Sequence, residues 1–156
     1  MCRFLFFAFV LLPLLAVGQG RTFDQLNEKL QEADTDDERG FVLCDLSSAY
    51  SGIDSVKTFD YARRALIIFQ RSGNVYGIGQ AQMALGSGYF DYDNLEQAKA
   101  HYRLAQARFA TLLAQDSSVQ HMKAWAKSTF NLSATLGRQG HNEEELRYMT
   151  GREPKF

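Results

Sequence analysis

The sequence predicts an all-α fold built from antiparallel helix hairpins. Three observations carry that expectation. Apolar residues recur at three- and four-residue spacing through most of the chain, and turn and capping residues interrupt the period at short intervals. Both prolines, Pro13 and Pro154, lie outside the segment from Thr22 to Met149. Proline removes an amide donor and clashes with the preceding turn, so a long proline-free segment is free to be helical almost throughout.

Taken in order, Thr22 followed three residues later by Gln25 reads as a helix start, and Phe23, Leu26 and Leu30 make one apolar stripe. Asp34 to Asp37 ends this helix and begins the next, which carries Phe41, Val42, Leu43, Leu46, Ala49 and Tyr50. Ser51-Gly52 stops it, with Gly52 suited to a left-handed cap. A third helix is expected from Lys57 to Arg71 and a fourth from Ile78 to Phe90. Asp93 with Glu96 forms a capping pattern for a long fifth helix, Leu95 to about Gln115. Ser117 with Gln120 caps a sixth that runs to about Arg138 and stops at Gly140. Asn142 with Glu145 starts a short seventh that ends near Thr150.

Three of these helices share a pattern. Leu85-Gly86-x-x-Tyr89 aligns with Leu46-Ser47-x-x-Tyr50 and with Leu132-Ser133-x-x-Leu136, at separations of 39 and 47 residues. Each places a large residue, a small one and a large one on one face, followed by a turn and a second helix. In the central block Tyr89 is followed by Ala98, Tyr102 and Ala105 at gaps of nine, four and three. This resembles the tetratricopeptide repeat, in which small residues let two helices approach and large ones fill the space between them. The first block fits at Leu46, Tyr50, Ala62 and Ala65 after one extra turn residue. The third keeps Leu132, Leu136 and Gly140, but Glu145 stands where the small residue of the second helix belongs. The periods exceed the family's usual ~34 residues, which longer second helices would explain. The resemblance implies an α-solenoid, with a leading helix over 19–35, repeats over about 36–74, 75–116 and 117–150, and a tail at 151–156.

The amino terminus has a different character. Arg3 precedes an almost unbroken apolar run from Phe4 to Val17, and Ala16-Val17-Gly18 puts small residues at the −3 and −1 positions of a cleavage site. That is the anatomy of a secretory signal peptide over 1–18, too short to span a bilayer as a helix. Uncleaved, it would be the chain's contact with a membrane. Export to a bacterial periplasm or envelope is the expected localisation. Cleavage would leave Cys44 as the sole cysteine, expected to be a buried apolar residue. The processed chain would carry 16 Lys+Arg against 18 Asp+Glu, a formal charge of −2. With no clustered basic run, nucleic-acid binding through phosphates is not expected.

Catalytic and metal motifs are weak. His101, His121 and His141 stand twenty residues apart, whereas zinc ligands on a helix sit three to five apart, so they read as surface histidines. Glu143-Glu144-Glu145 follows Asn142, where acids meet the helix dipole. Gly77-Ile-Gly79 lacks the strand–turn–helix context of a phosphate cradle, and Gly86-Ser87-Gly88 lies inside a helix and not on a nucleophile elbow. No enzyme activity and no cofactor are expected.

The tetratricopeptide resemblance instead implies a peptide-binding groove on the first helices of the hairpins. Its positions here are Phe41, Cys44, Ser48 and Ser51 in the first repeat, and Gln80, Met83, Ser87 and Phe90 in the second. In the third they are Lys127, Phe130, Ala134, Gly137 and Arg138. These residues read as an apolar or hydroxylated wall, suited to an apolar or extended segment, with Lys127 and Arg138 tolerating an acid. The expected function is a non-catalytic scaffold for another polypeptide, with self-association open. The alternative is the sensory fragment of a membrane-bound signalling protein, a histidine kinase or transcription regulator whose output module lies elsewhere.

Overall fold

The computed structural model describes residues 22–140. Among them are six α-helices and no strand: α1 (22–32), α2 (Asp36–Tyr50), α3 (Ser55–Ser72), α4 (Val75–Asp91), α5 (Leu95–Gln115) and α6 (Val119–Arg138). The expected leader and the expected seventh helix lie outside the described residues.

The starts of α2 to α6 are each set by a side chain that accepts from an otherwise unpaired amide of the first turn. Thr35 and Glu38 form a reciprocal capping box on α2, with Glu38 N–H donating to Thr35 Oγ1 (3.2 Å) and Thr35 N–H to Glu38 Oε2 (3.1 Å). Asp54, Asn74, Asn94 and Ser118 cap the next four. Two of these differ from the sequence reading. Asn94, not Asp93, caps α5, because Asp93 adopts a left-handed φ of 59° to close the turn. Ser118, not Ser117, accepts from His121 N–H. α4 also begins three residues before the expected Ile78, at Val75, despite the glycine at 77. Asn74 Oδ1 accepts from Gly77 N–H at 2.8 Å, and the missing side chain there makes room for a core ring.

Connections of two to four residues fold each of α3 to α6 back on the helix before it, α4 also packs on α2, and Phe23 of α1 stacks on Tyr50 of α2. One core cluster joins Leu43, Cys44 and Leu46 of α2 to Ala65 and Phe69 of α3 and Ala81 of α4. Leu26 and Leu30 of α1 pack against it. A second joins Met83 of α4 to Tyr102 and Phe109 of α5 and to Leu132 and Leu136 of α6. The paired leucines of the sequence pattern, Leu46, Leu85 and Leu132, are at most 3% exposed.

Two phenylalanines act as wedges. Phe69 lies against both α2 and α4: a Cβ on Gly40 would sit 2.6 Å from its ring, and one on Gly77 only 2.1 Å away. Phe109 lies against Gly79, where a Cβ would meet the ring at 2.5 Å, and shares a cluster with Ala124 of α6. Both rings are fully buried, each worth ~1.5–3 kcal/mol of transfer free energy. Glycine on the first helix thus sets the depth at which the second helix docks.

Candidate binding face

The residues singled out by sequence divide into three groups. Ser48 and Lys127 are exposed, and Gln80 and Ser87 are half-buried. Phe41, Phe90 and Arg138 are engaged with neighbours. Phe41 is half-buried, with its ring centroid 4.8 Å from Phe69 and 6.1 Å from Tyr76. Phe90 is also half-buried, and the Arg138 guanidinium lies 4.4 Å over its ring. Arg138 donates to the Phe90 carbonyl (3.2 Å) and to Asp93 Oδ1 (2.7 Å), tying the end of α6 to the α4–α5 turn. Met83 and Phe130 take opposite fates. Met83 is 6% exposed inside the α4–α5–α6 cluster, whereas Phe130 is 68% exposed.

Part of the apolar or hydroxylated wall expected from sequence is taken up by internal packing. Packing between hairpins uses Cys44, Met83 and most of Phe41 and Phe90, because burying those rings and chains outweighs leaving them in water. Polar residues of α2, α4 and α6 remain accessible beside the exposed Val119, Met122 and Phe130 of α6. Ser48 Oγ donates to the Cys44 carbonyl at 3.1 Å. Ser87 Oγ accepts from the Tyr102 hydroxyl at 3.1 Å, and Asn131 of α6 also bonds that hydroxyl. Across the ends of α2 and α4, Ser51 Oγ donates to Asp91 Oδ2.

Asp45 was not singled out by the sequence reading and carries the electrostatics of this side. It is solvent-exposed, yet crowding by surrounding protein raises its carboxyl pKa, while the cations Lys29 and Lys127 act in the opposite direction. Lys29 belongs to α1 and Lys127 to α6. Both cations act on Asp45 through space, and among the described residues no ion pair or hydrogen bond holds its carboxylate. The signal was available: Phe41, Asp45 and Ser48, at spacings of four and three, share one face of α2.

Beneath this side, Cys44 is buried, as expected, and its thiol is pushed up to about 12 by burial and then by the Asp45 charge. His101 differs from the surface histidine expected. It is half-buried, Nδ1 lies 2.6 Å from Gln82 Oε1, and the ring stacks on Tyr89 at 5.2 Å. Burial and then Arg63 lower its pKa. His121 Nδ1 lies 3.0 Å from the Asp116 carbonyl oxygen, against Tyr76. His141 and the Glu143–Glu145 run lie outside the described residues. Among the described residues there is no group of three His, Cys, Asp or Glu placed to hold a metal, and no helix long and apolar enough to cross a membrane.

The geometry defines an all-α protein of successive antiparallel helices. Compared with protein-family models, curated proteins and solved structures, the chain matches none.

Proposed function

We propose that this chain is an exported α-solenoid of tetratricopeptide type and a non-catalytic scaffold that binds another polypeptide. The segment bound would be extended and lie across α2, α4 and α6. The observation that carries the reading is the division of labour among the helices. α3 and α5 drive Phe69 and Phe109 against one side of α2, α4 and α6, while on those same three helices Ser48 and Lys127 stay exposed and Gln80 and Ser87 half-buried. Hydroxyls, amides and isolated charges on a rigid wall suit the backbone and polar side chains of an extended ligand. The coupling of Asp45 to Lys29 and Lys127 favours a segment of mixed charge over a purely apolar one.

The test is a display library of extended peptides panned on the chain, followed by affinities for a Gln80→Ala/Lys127→Ala variant. Loss of about tenfold or more, with the helical content unchanged, is the expected result. Equal affinity of the two proteins for every selected peptide would remove the groove from the reading.

A further inference from the structure

Ser51, Asp91 and Arg138 lie at the ends of α2, α4 and α6, and their contacts draw those ends together. Ser51 Oγ donates to Asp91 Oδ2 across α2 and α4. Arg138 donates to the Phe90 carbonyl (3.2 Å) and to Asp93 Oδ1 (2.7 Å) across α4 and α6. A helix C-terminus carries the negative end of the macrodipole, so ends that meet favour a cation between them. At the α4–α6 junction Arg138 is that cation, held by a carbonyl, a carboxylate and the Phe90 ring 4.4 Å away. The α2–α4 junction differs. Neither α2 nor α4 carries a basic residue in its last turn. Lys57, in the first turn of α3, is engaged by Asp54 (3.8 Å) and by the Tyr50 ring (4.6 Å). Asp91 is exposed, and among the described residues no cation pairs with it and only the Ser51 hydroxyl donates to it.

We infer that the α2–α4 end of the groove is a subsite for a basic side chain, Lys or Arg, of the bound polypeptide, with Asp91 as its counter-ion. The assignment rests on the groove proposed above and names the residue type that the bound segment presents there. The fold itself supplies the precedent, since Arg138 is held at the neighbouring junction by the same kinds of group. Ser87 stands one turn before Asp91 on the same side of α4. Its hydroxyl accepts from that of Tyr102 at 3.1 Å, which Asn131 also bonds, so α4, α5 and α6 are joined behind the subsite. Burial raises the Tyr102 pKa, the Ser87 bond opposes that, and the Asp91 charge raises it again, which sets the carboxylate within range of this hydroxyl. A carboxylate on a wall tied in this way meets a cation with little reordering. Lys127 lies eleven residues before Arg138 on α6, about three turns away. A segment with its base at Asp91 and an acid toward Lys127 matches both charges.

The experiment pans the full chain against two displayed pools of random heptapeptides that differ only in a fixed central residue, Arg in one and Glu in the other. The Arg pool is expected to be recovered about tenfold better, and the ratio to fall close to unity on Asp91→Asn. Asparagine still accepts from Ser51, so the junction is kept and only the charge is lost. Asp45→Asn should leave the ratio unchanged, which separates the subsite from the other groove carboxylate. Equal recovery of the two pools by the unmodified chain would overturn the inference, and loss of both on Gln80→Ala/Lys127→Ala would then leave the groove standing. Recovery of neither pool would remove the groove and the inference with it. A ratio that survives Asp91→Asn, or that collapses on Asp45→Asn, would place the cation elsewhere and overturn the inference. A ratio gained only on removal of residues 141–156 would assign Asp91 to a base of the chain's own C-terminal residues, and would overturn it equally.

Discussion

The two hairpins α2–α3 and α4–α5 differ from α6 in what equivalent residues touch. Ser47 of α2 donates to the Thr58 carbonyl of α3 at 2.8 Å, while the buried Ser133 hydroxyl, in the matching place on α6, has no partner among the described residues. Cys44 and Met83 are covered and Phe130 is open. Gly40 and Gly79 hold rings, while Ala126 faces outward. The pattern of residue types continues through all three, so the difference lies in which helices pack against each position. In a stack of hairpins each unit completes the core of its neighbour, and a residue's burial is a property of the pair.

The largest expected effect on this contrast is chemical. With its thiol pushed up to about 12 from an ordinary 9.0, Cys44 should be alkylated about a thousandfold more slowly in the native chain than in denaturant, since the thiolate is the nucleophile. In a Cys44→Ala background, Phe130→Cys should react at close to the denatured rate and Met83→Cys far more slowly. Equal native rates at 83 and 130 would erase the distinction.

The next effect is on stability. Phe109→Ala removes a fully buried wedge and should cost about 3–5 kcal/mol in urea unfolding, whereas Phe130→Ala should change it by no more than ~0.5 kcal/mol. A comparable loss from both would mean that the α6 face is covered in solution.

Smaller still is the effect of a single methyl group. Alanine in place of a helical glycine ordinarily gains ~1 kcal/mol, but at Gly79 the new Cβ would lie 2.5 Å from the Phe109 ring. Gly79→Ala should therefore be net destabilising, by about 1–3 kcal/mol, and a stabilised variant would show that the ring has room to move. Ala126→Gly meets no ring and should lose only the propensity difference of ~1 kcal/mol.

The smallest effect concerns the joint between the hairpins. Asp37 of α2 accepts from Ser72 Oγ (2.6 Å) and Asn74 Nδ2 (2.7 Å), and these bonds hold its pKa below the ordinary 3.8. A carboxylate with a depressed folded pKa contributes stability above the unfolded value and loses it as pH falls through the folded one. The deficit of Asp37→Asn relative to the unmodified chain should thus be full at pH 7 and close as pH falls below the ordinary 3.8 and through the lower folded value. A deficit independent of pH would show that the charge of Asp37 is immaterial to the joint.

Much of this was legible along the chain. Six described helices stand where periodicity and capping residues put them, with ends displaced by up to three residues. The displacements have local causes: Asp93 closes a turn in place of capping, and Gly77, a poor helix former by itself, is held in α4 by Asn74 and the Phe69 ring. The accessible face was legible in part. Ser48 and Lys127, placed by the family resemblance, are exposed, while Gln80 and Ser87 are half-buried. Asp45 escaped notice because its setting depends on Lys29 and Lys127, sixteen residues before it and eighty-two after.

By itself the sequence determined the helices, their order and the positions able to pack, since these follow from local propensity, capping and a 3.6-residue period. Only the tertiary structure decided which of those positions are covered. Cys44, Met83 and Phe130 occupy one place in one pattern, and whether such a side chain is core or surface depends on the helix that comes to lie against it.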